Sequence, residues 1–376
     1  MGKHSVEQVN RQRSVNNQGT QRTRQQNNRQ NQVNKKTGKK KMKAWKKVVI
    51  ALVLILVILL GCIFGFIQSK LGKISYVELN KEELGISDNV AKGYRNIALL
   101  AVDSRNVNSN DGSRSDGMIV CSINETTKEV RLISVYRDTY VEVEGHGLTK
   151  ITHAYAYGGP QLAIKTLNTN LDLNISEFVT VNFEAVAEAI DLMGGIEITI
   201  EKDELAQMNK YIQDTAKNTG MSSPTLSSAG TQTLNGVQAV TYGRIRKTAG
   251  GDYKRTERMR TVIMKAFEKA KTMDIGTLNN IIDNVLPKVQ TNITTDEILG
   301  LAGKMLSYKI TDSIGWPYET KGKTLDAWYG VPVTLETNVI KLHQEVFGQT
   351  DYQLPASVKE ISDKIVNKTG YTATAQ

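Results

Sequence analysis

Read for polarity alone, the chain changes character at residue 48. Residues 1–47 are rich in Asn and Gln and nearly empty of large apolar side chains. Such a segment cannot bury enough surface to offset the entropy of ordering, so a disordered tail is expected. Val48 to Ile67 then reads VVIALVLILVILLGCIFGFI, twenty residues without a charge. At about 1.5 Å per residue this run crosses a hydrocarbon core of roughly 30 Å. A cleaved signal peptide has a shorter apolar region and a small-residue cleavage site, and Gln68-Ser69-Lys70-Leu71 offers none. One uncleaved transmembrane helix is therefore expected over 48–67.

Beyond it, residues 68–93 are mixed and read as a stalk and entry segment. From there apolar runs of strand length alternate with runs at helical spacing. Arg95 to Asp103, Met118 to Ile123, Val130 to Val135, Phe178 to Val181 and Ile196 to Ile200 are predicted strands, the second and third joined by a turn at Asn124–Lys128. His153–Leu171 and Phe183–Met193 are predicted helices, the latter stopped by Gly194-Gly195. Leu234–Val240, Glu257–Lys271 and the region Leu278–Ser307 follow as helical. Val339–Phe347 is expected to be the last helix, with a frayed end over Thr369–Gln376. Alternating strands and helices predict an α/β domain, a central sheet covered on both faces, over residues 94–350 with an extension at 351–376.

Charge sharpens this division. The net charge is +10, yet residues 1–47 hold fourteen Lys and Arg against Glu7 alone, so the remainder is close to neutral. The basic cluster Lys35–Lys47, with Trp45 at its end, directly precedes the apolar run. Positive flanks stay cytoplasmic, which puts the N-terminus inside and the domain outside the cell membrane. The adjoining apolar run favours this over a nucleic-acid arm. The two cysteines, Cys62 and Cys121, are too far apart, with one in the apolar run, to form a disulfide framework.

Four places set charge at predicted strand or helix ends: Asp103-Ser104-Arg105; Arg114-Ser115-Asp116; Arg137-Asp138; and Arg244-Ile245-Arg246 followed by Asp252, Arg255, Arg258 and Arg260. In α/β sheets ligands bind beyond the strand ends. In an extended segment Arg244 and Arg246 would share a face, and Arg255 and Arg258 would share one at a helix start. Converging arginines match a multiply charged anion of pyrophosphate size. Asp103 and Asp116 would repel that anion unless a hard divalent cation lay between them. No Ser-His-Asp triad, zinc spacing or P-loop occurs, and His153 at a helix start reads as a packing or capping residue.

These residues stand in an ordered series of blocks: NIALLAVDSR, SRSDGMIVCSIN, ISVYRDTYVEV, KITHAYAYGG, LMGGIEITI, LNGVQAVTYGRIR and GDYKRTERMR. The series resembles the LytR-CpsA-Psr family closely over Asn96 to Ala270, and more loosely around LHQEVFG. The resemblance implies a central, mostly mixed sheet flanked by helices and enclosing an apolar pocket for a polyprenyl chain. It implies Mg²⁺ (or Mn²⁺) at Asp103 and Asp116, pyrophosphate contacts from Arg114, Arg137, Lys150, Arg244, Arg246, Arg255 and Arg258, and catalytic roles for Asp116, Arg137, Asp138 and Asp252. Asp252 would close the site with Arg255, Arg114 and Asp138 are neighbours in those motifs, and Lys150 stands at the family's usual basic position before the helix. Met259 stands where the family often has Gln, which removes a polar contact.

The implied activity is phosphotransfer of an undecaprenyl-pyrophosphate-linked glycopolymer, such as teichoic acid or capsule, to a peptidoglycan sugar hydroxyl, with undecaprenyl phosphate released. Asp116 and Asp138 are both candidates for the base. Hydrolysis of the lipid pyrophosphate on the same fold is one alternative, and a non-enzymatic polyprenyl-phosphate sensor is another. The tail carries no helix-turn-helix pattern, which argues against direct gene regulation.

Overall fold

The computed structural model describes residues 74–102 and 115–373. The expected tail and transmembrane run lie outside them, and among the described residues no helix is long and apolar enough to cross a membrane.

The chain enters at a two-residue strand, β1 (Ser75–Tyr76), and reaches the sheet centre with β2 (Tyr94–Val102), β3 (Ser115–Asn124) and β4 (Glu129–Val135). These three form an antiparallel meander, with Leu100 opposite Met118 and Met118 opposite Val135. A small hairpin, β5 (Tyr140–Val143) and β6 (Gly147–Lys150), leads into α1 (His153–Leu171). β7 (Glu177–Asn182) returns parallel beside β2. Next come α2 (Phe183–Leu192), β8 (Ile196–Ile200), α3 (Lys202–Thr219), β9 (Gly230–Leu234), α4 (Gly236–Arg244), α5 (Gly251–Ala270) and α6 (Ile275–Val285). β10 (Val289–Thr291) pairs antiparallel with β7 and parallel with β1, and α7 (Thr295–Gly303) follows. β11 (Lys309–Trp316) runs parallel to β4 with a register shift between Ile310 and Asp312. The hairpin β12 (Thr320–Thr324) and β13 (Trp328–Pro332) precedes α8 (Leu335–Phe347) and α9 (Ala356–Thr369). The seven-stranded sheet is thus mixed, in the order β1-β10-β7-β2-β3-β4-β11.

Both faces are apolar because the strands are central. One face sends Ala98, Leu100, Met118, Val120, Ile133 and Phe178 against α1, α8 and α9. The other sends Ile97, Leu99, Ile119, Cys121 and Val179 toward Ile263, Met264 and Phe267 of α5 and Ile298 and Leu301 of α7. Near-continuous apolar strands are the expected signature of a sheet covered twice.

Several expected elements change. The region 278–307 is two helices separated by the short β10, which hooks onto β7 where Asn292 accepts from the Phe178 N–H. Leu234 ends a strand, and the helix after it begins at Gly236 and runs on to Arg244. α8 is not the last helix, since α9 follows and places Val358, Ile361 and Ile365 in the main core. Residues 351–373 are therefore part of the domain and not an appendage. The same holds upstream, where Leu79, Leu84 and Val90 of the expected stalk join that core.

Candidate functional site

The pairing brings four chain segments to one end of the sheet. β2, β4 and β7 all finish there and β3 begins there. Ala101 pairs with Gly117 and Val102 with Ser115, so Asp116 is the extra residue of a β-bulge. Bulges re-aim a side chain and end regular pairing, and this one turns the Asp116 carboxylate to the site. Arg137 follows the end of β4, and its Nη1 meets Asp116 Oδ1 at 2.8 Å. Arg246 Nη2 stands 3.8 Å from the same oxygen and its Nε 3.9 Å from Asp252. Arg255 donates to the Asp116 backbone carbonyl at 2.6 Å, with Asp252 3.4 Å from its Nε. Burial pulls the Arg255 guanidinium down to about 10 against the upward pull of Asp252, which leaves it a cation at neutral pH. Asp138 sits one step out, held by Lys150 at 2.7 Å and 3.9 Å from Arg137 Nε.

Asp116, Arg137, Arg246 and Arg255 border a cleft of about 720 Å³. Its lining includes six cationic side chains, Arg137, Lys217, Arg244, Arg246, Lys247 and Arg255, against two carboxylates, Asp116 and Asp214. The excess of positive charge makes it an anion site, and one too large for a single small ion. Next to it, between the sheet and helices α2, α4 and α5, lies an apolar cavity of about 220 Å³ walled by Leu99, Ala101, Ile119, Val181, Val240 and Ile263 among others. Phe183, Gly243, Arg244 and Met259 line both. A continuous site with a cationic mouth and an apolar interior is shaped for an amphipathic anion.

The LytR_cpsA_psr family profile matches residues 64–339, well over half of the chain. The chain belongs to the LytR_cpsA_psr family. It is 31% identical over 273 residues to the polyisoprenyl-teichoic acid–peptidoglycan teichoic acid transferase TagT of Bacillus subtilis, which covers 67% of this chain and 82% of TagT. A solved structure of TagT bound to LIIa-WTA superposes with a TM-score of 0.54 at 26% identity, covering 70% of this chain and 92% of that one. A structure of the family protein YwtF (TagT) with bound octaprenyl pyrophosphate lipid gives 0.50 at 26% identity, over 68% and 91% of the two chains.

Within this LytR_cpsA_psr domain the expected site residues fall into three groups. Asp116, Arg137, Asp138, Lys150, Arg246, Asp252 and Arg255 form one linked set of ion pairs, and Arg244 joins them on the cleft wall. Arg244 is the last residue of α4 and not part of an extended pair with Arg246. Its guanidinium lies 4.7 Å from the Phe183 ring centroid. α4 is held there by a backbone-to-backbone approach, for a Cβ on Gly236 would sit 1.9 Å from the Ala187 carbonyl oxygen of α2. Arg258 is the exception. Although it is only three positions along α5 from Arg255, its guanidinium turns to other partners, buried, with Nε 2.6 Å from Glu204 and further bonds to the Ile245 carbonyl and Thr248 hydroxyl. Its donors serve the wall between α3 and α5 and it does not line the cleft. Asp103 and Arg114 lie outside the described residues.

Sequence reading passed over α3, which supplies Tyr211, Asp214, Thr215 and Asn218 to the cleft. Their i, i+3, i+4, i+7 spacing is one helix face, a polar stripe that periodicity can reveal. Met259 turns out to be a neck residue, with its methyl so close to the sheet that a Cβ on Gly117 would meet it at 2.3 Å. His153 accepts or donates a 2.9 Å bond with Thr149 at the start of α1, away from the cleft.

Proposed function

We propose that this protein is a phosphotransferase that moves a glycopolymer from a polyprenyl-pyrophosphate carrier onto a peptidoglycan sugar hydroxyl. The observation that carries the reading is the junction of the arginine-rich cleft with the apolar cavity through Phe183, Gly243, Arg244 and Met259. A pyrophosphate head would lie among Arg137, Arg246 and Arg255 and the first isoprene units would enter past Met259. In the reaction an acceptor hydroxyl oxygen bonds to the glycan-bearing phosphorus. The bond from that phosphorus to the bridging oxygen breaks, and the electron pair leaves with polyprenyl phosphate. The arginines offset the charge that develops on the leaving phosphate.

The hydroxyl proton passes to a carboxylate. Both carboxylates are paired with cations, but Asp116 lines the cleft and Asp138 does not, which favours Asp116. Among the described residues no three His, Cys, Asp or Glu side chains group to hold a metal. Mg²⁺ needs fewer, since one or two carboxylates with phosphate oxygens and water suffice. Asp116 with Asp103 would hold it, and it would supply further neutralisation of the pyrophosphate. Anchorage by residues 48–67, with the domain outside the cell, completes the proposal and brings the site to its lipid substrate.

The test uses the full-length protein in lipid nanodiscs with a lipid-pyrophosphate-linked glycan, peptidoglycan oligomers and Mg²⁺, with attachment followed by mass spectrometry. Glycan on the oligomer is expected, with a loss of roughly 100-fold or more in Arg137→Ala and Asp116→Ala. Release of free glycan phosphate without attachment would instead identify a hydrolase.

A further inference from the structure

Tyr136 and Tyr253 are the neighbours in sequence of Arg137 and Asp252, yet neither lines the anion cleft. They line a separate cleft of about 530 Å³ together with Tyr318, Glu319 and Lys321. The Tyr136 and Tyr253 rings meet edge to face, with centroids 4.5 Å apart and planes at 84°. Tyr253 is 42% exposed. Glu319 and Lys321 are exposed at the rim, and among the described residues the Glu319 carboxylate takes part in no ion pair or hydrogen bond.

An open aromatic platform with a free acceptor and a cationic donor beside it has the chemistry that recognises a sugar. The C–H face of a pyranose, slightly positive, lies on the negative face of an aromatic ring. Its hydroxyls then bond to carboxylate and ammonium at the edge. A lipid surface would call for a wide apolar patch with cations around it, and a carboxylate at the rim opposes that.

We propose that the tyrosine cleft is the acceptor subsite, holding a sugar ring of the peptidoglycan strand adjacent to the ring whose hydroxyl attacks. This rests on the transferase reading above. Phosphoryl transfer sets the entering and leaving oxygens roughly in line on opposite sides of phosphorus. The neck at Phe183 and Met259 draws the leaving lipid phosphate toward the apolar cavity. The α3 face at Tyr211 and Asn218 offers the donor glycan a place in the anion cleft itself. The tyrosine cleft is lined by the sequence neighbours of Arg137 and Asp252 and shares no lining residue with the anion cleft. The ring bound there is thus a neighbour of the reacting sugar, and the cleft selects strands over single disaccharide units.

The test compares full-length wild type, Tyr253→Ala and Tyr253→Phe in nanodiscs, with folding checked by thermal melting. The KM for a peptidoglycan strand is expected to rise up to about tenfold in Tyr253→Ala, with kcat and the KM for the lipid donor unchanged, and Tyr253→Phe is expected to restore it. The strand should also outcompete a single disaccharide unit in wild type only. An unchanged strand KM in both Tyr253→Ala and Glu319→Gln overturns the proposal, and so does a rise in the donor KM alone. If wild type transfers nothing, the transferase reading fails by itself. Direct calorimetric binding of the strand then decides: weaker binding to Tyr253→Ala supports the glycan site, whereas equal binding, or none to wild type, overturns it.

Discussion

Alternate residues of the same two strands meet opposite surroundings. Leu100, Met118 and Val120 point into a filled core against Ile164 and Leu167 of α1 and Val339 and Leu342 of α8, each at most 1% exposed. Leu99, Ala101, Gly117 and Ile119, one residue out of step, wall a cavity. The difference lies in side-chain volume. Large residues oppose large ones on the filled face, while the small Ala101 and Gly117 of the sheet and Ala239 and Gly243 of α4 are among the residues lining the hollow one. The resulting space of about 220 Å³ is bounded almost wholly by apolar surface, which an apolar ligand would cover.

The sharpest way to break this contrast is on the filled face. Phe178→Ala removes a fully buried ring and is expected to cost about 3–5 kcal/mol in urea unfolding, with no comparable gain in ligand affinity. Adding volume separates the two faces more finely. Val120→Phe should overpack the filled side and cost about 1–3 kcal/mol. Val181→Phe, on the cavity wall, should instead leave stability unchanged or raise it by about 0.5–2 kcal/mol while polyprenyl phosphate binding falls about tenfold or more. Equal destabilisation by both would mean the cavity is not available volume. The smallest effect marks where the hollow ends. Cys121 lies on the same face as Ile119, and burial pushes its thiol up to about 12. At pH 8 its thiolate fraction is then roughly a thousandfold below that of a free thiol. In a Cys62→Ser background, iodoacetamide should label Cys121 only after unfolding, and ready labelling of the native protein would show that the cavity extends to it.

Much of the fold was legible because it rests on periodicity. β2, β4, β7 and β8 and helices α1 and α2 appear within a residue or so of where apolar spacing put them. What escaped has physical reasons. β10 is three residues long and carries no measurable period, so it vanished into a helical region. α3 has a low overall hydrophobicity and buries only a narrow stripe around Met208 and Ile212, so its helical pattern was passed over. α9 was obscured in the same way by its many charges. At the site, residue types placed at strand ends indicated an anion cluster. They could not say which way a guanidinium turns on a helix: Arg255 and Arg258 differ by three positions, and only tertiary contact with Glu204 commits Arg258 to the wall. The tyrosine cleft was illegible because Tyr318 arrives from a segment about 180 residues distant from Tyr136.

The register shift in β11 has its own consequence. β11 is the end strand of the sheet and runs eight residues, long enough to accept another chain's backbone along its outer edge. The shift between Ile310 and Asp312 interrupts that row of donors and acceptors, and exposed Lys309 and Asp312 add charge beside it. At the opposite end β1 offers only two residues. Both borders are therefore poor templates for strand addition, which works against copies of the domain fusing edge to edge.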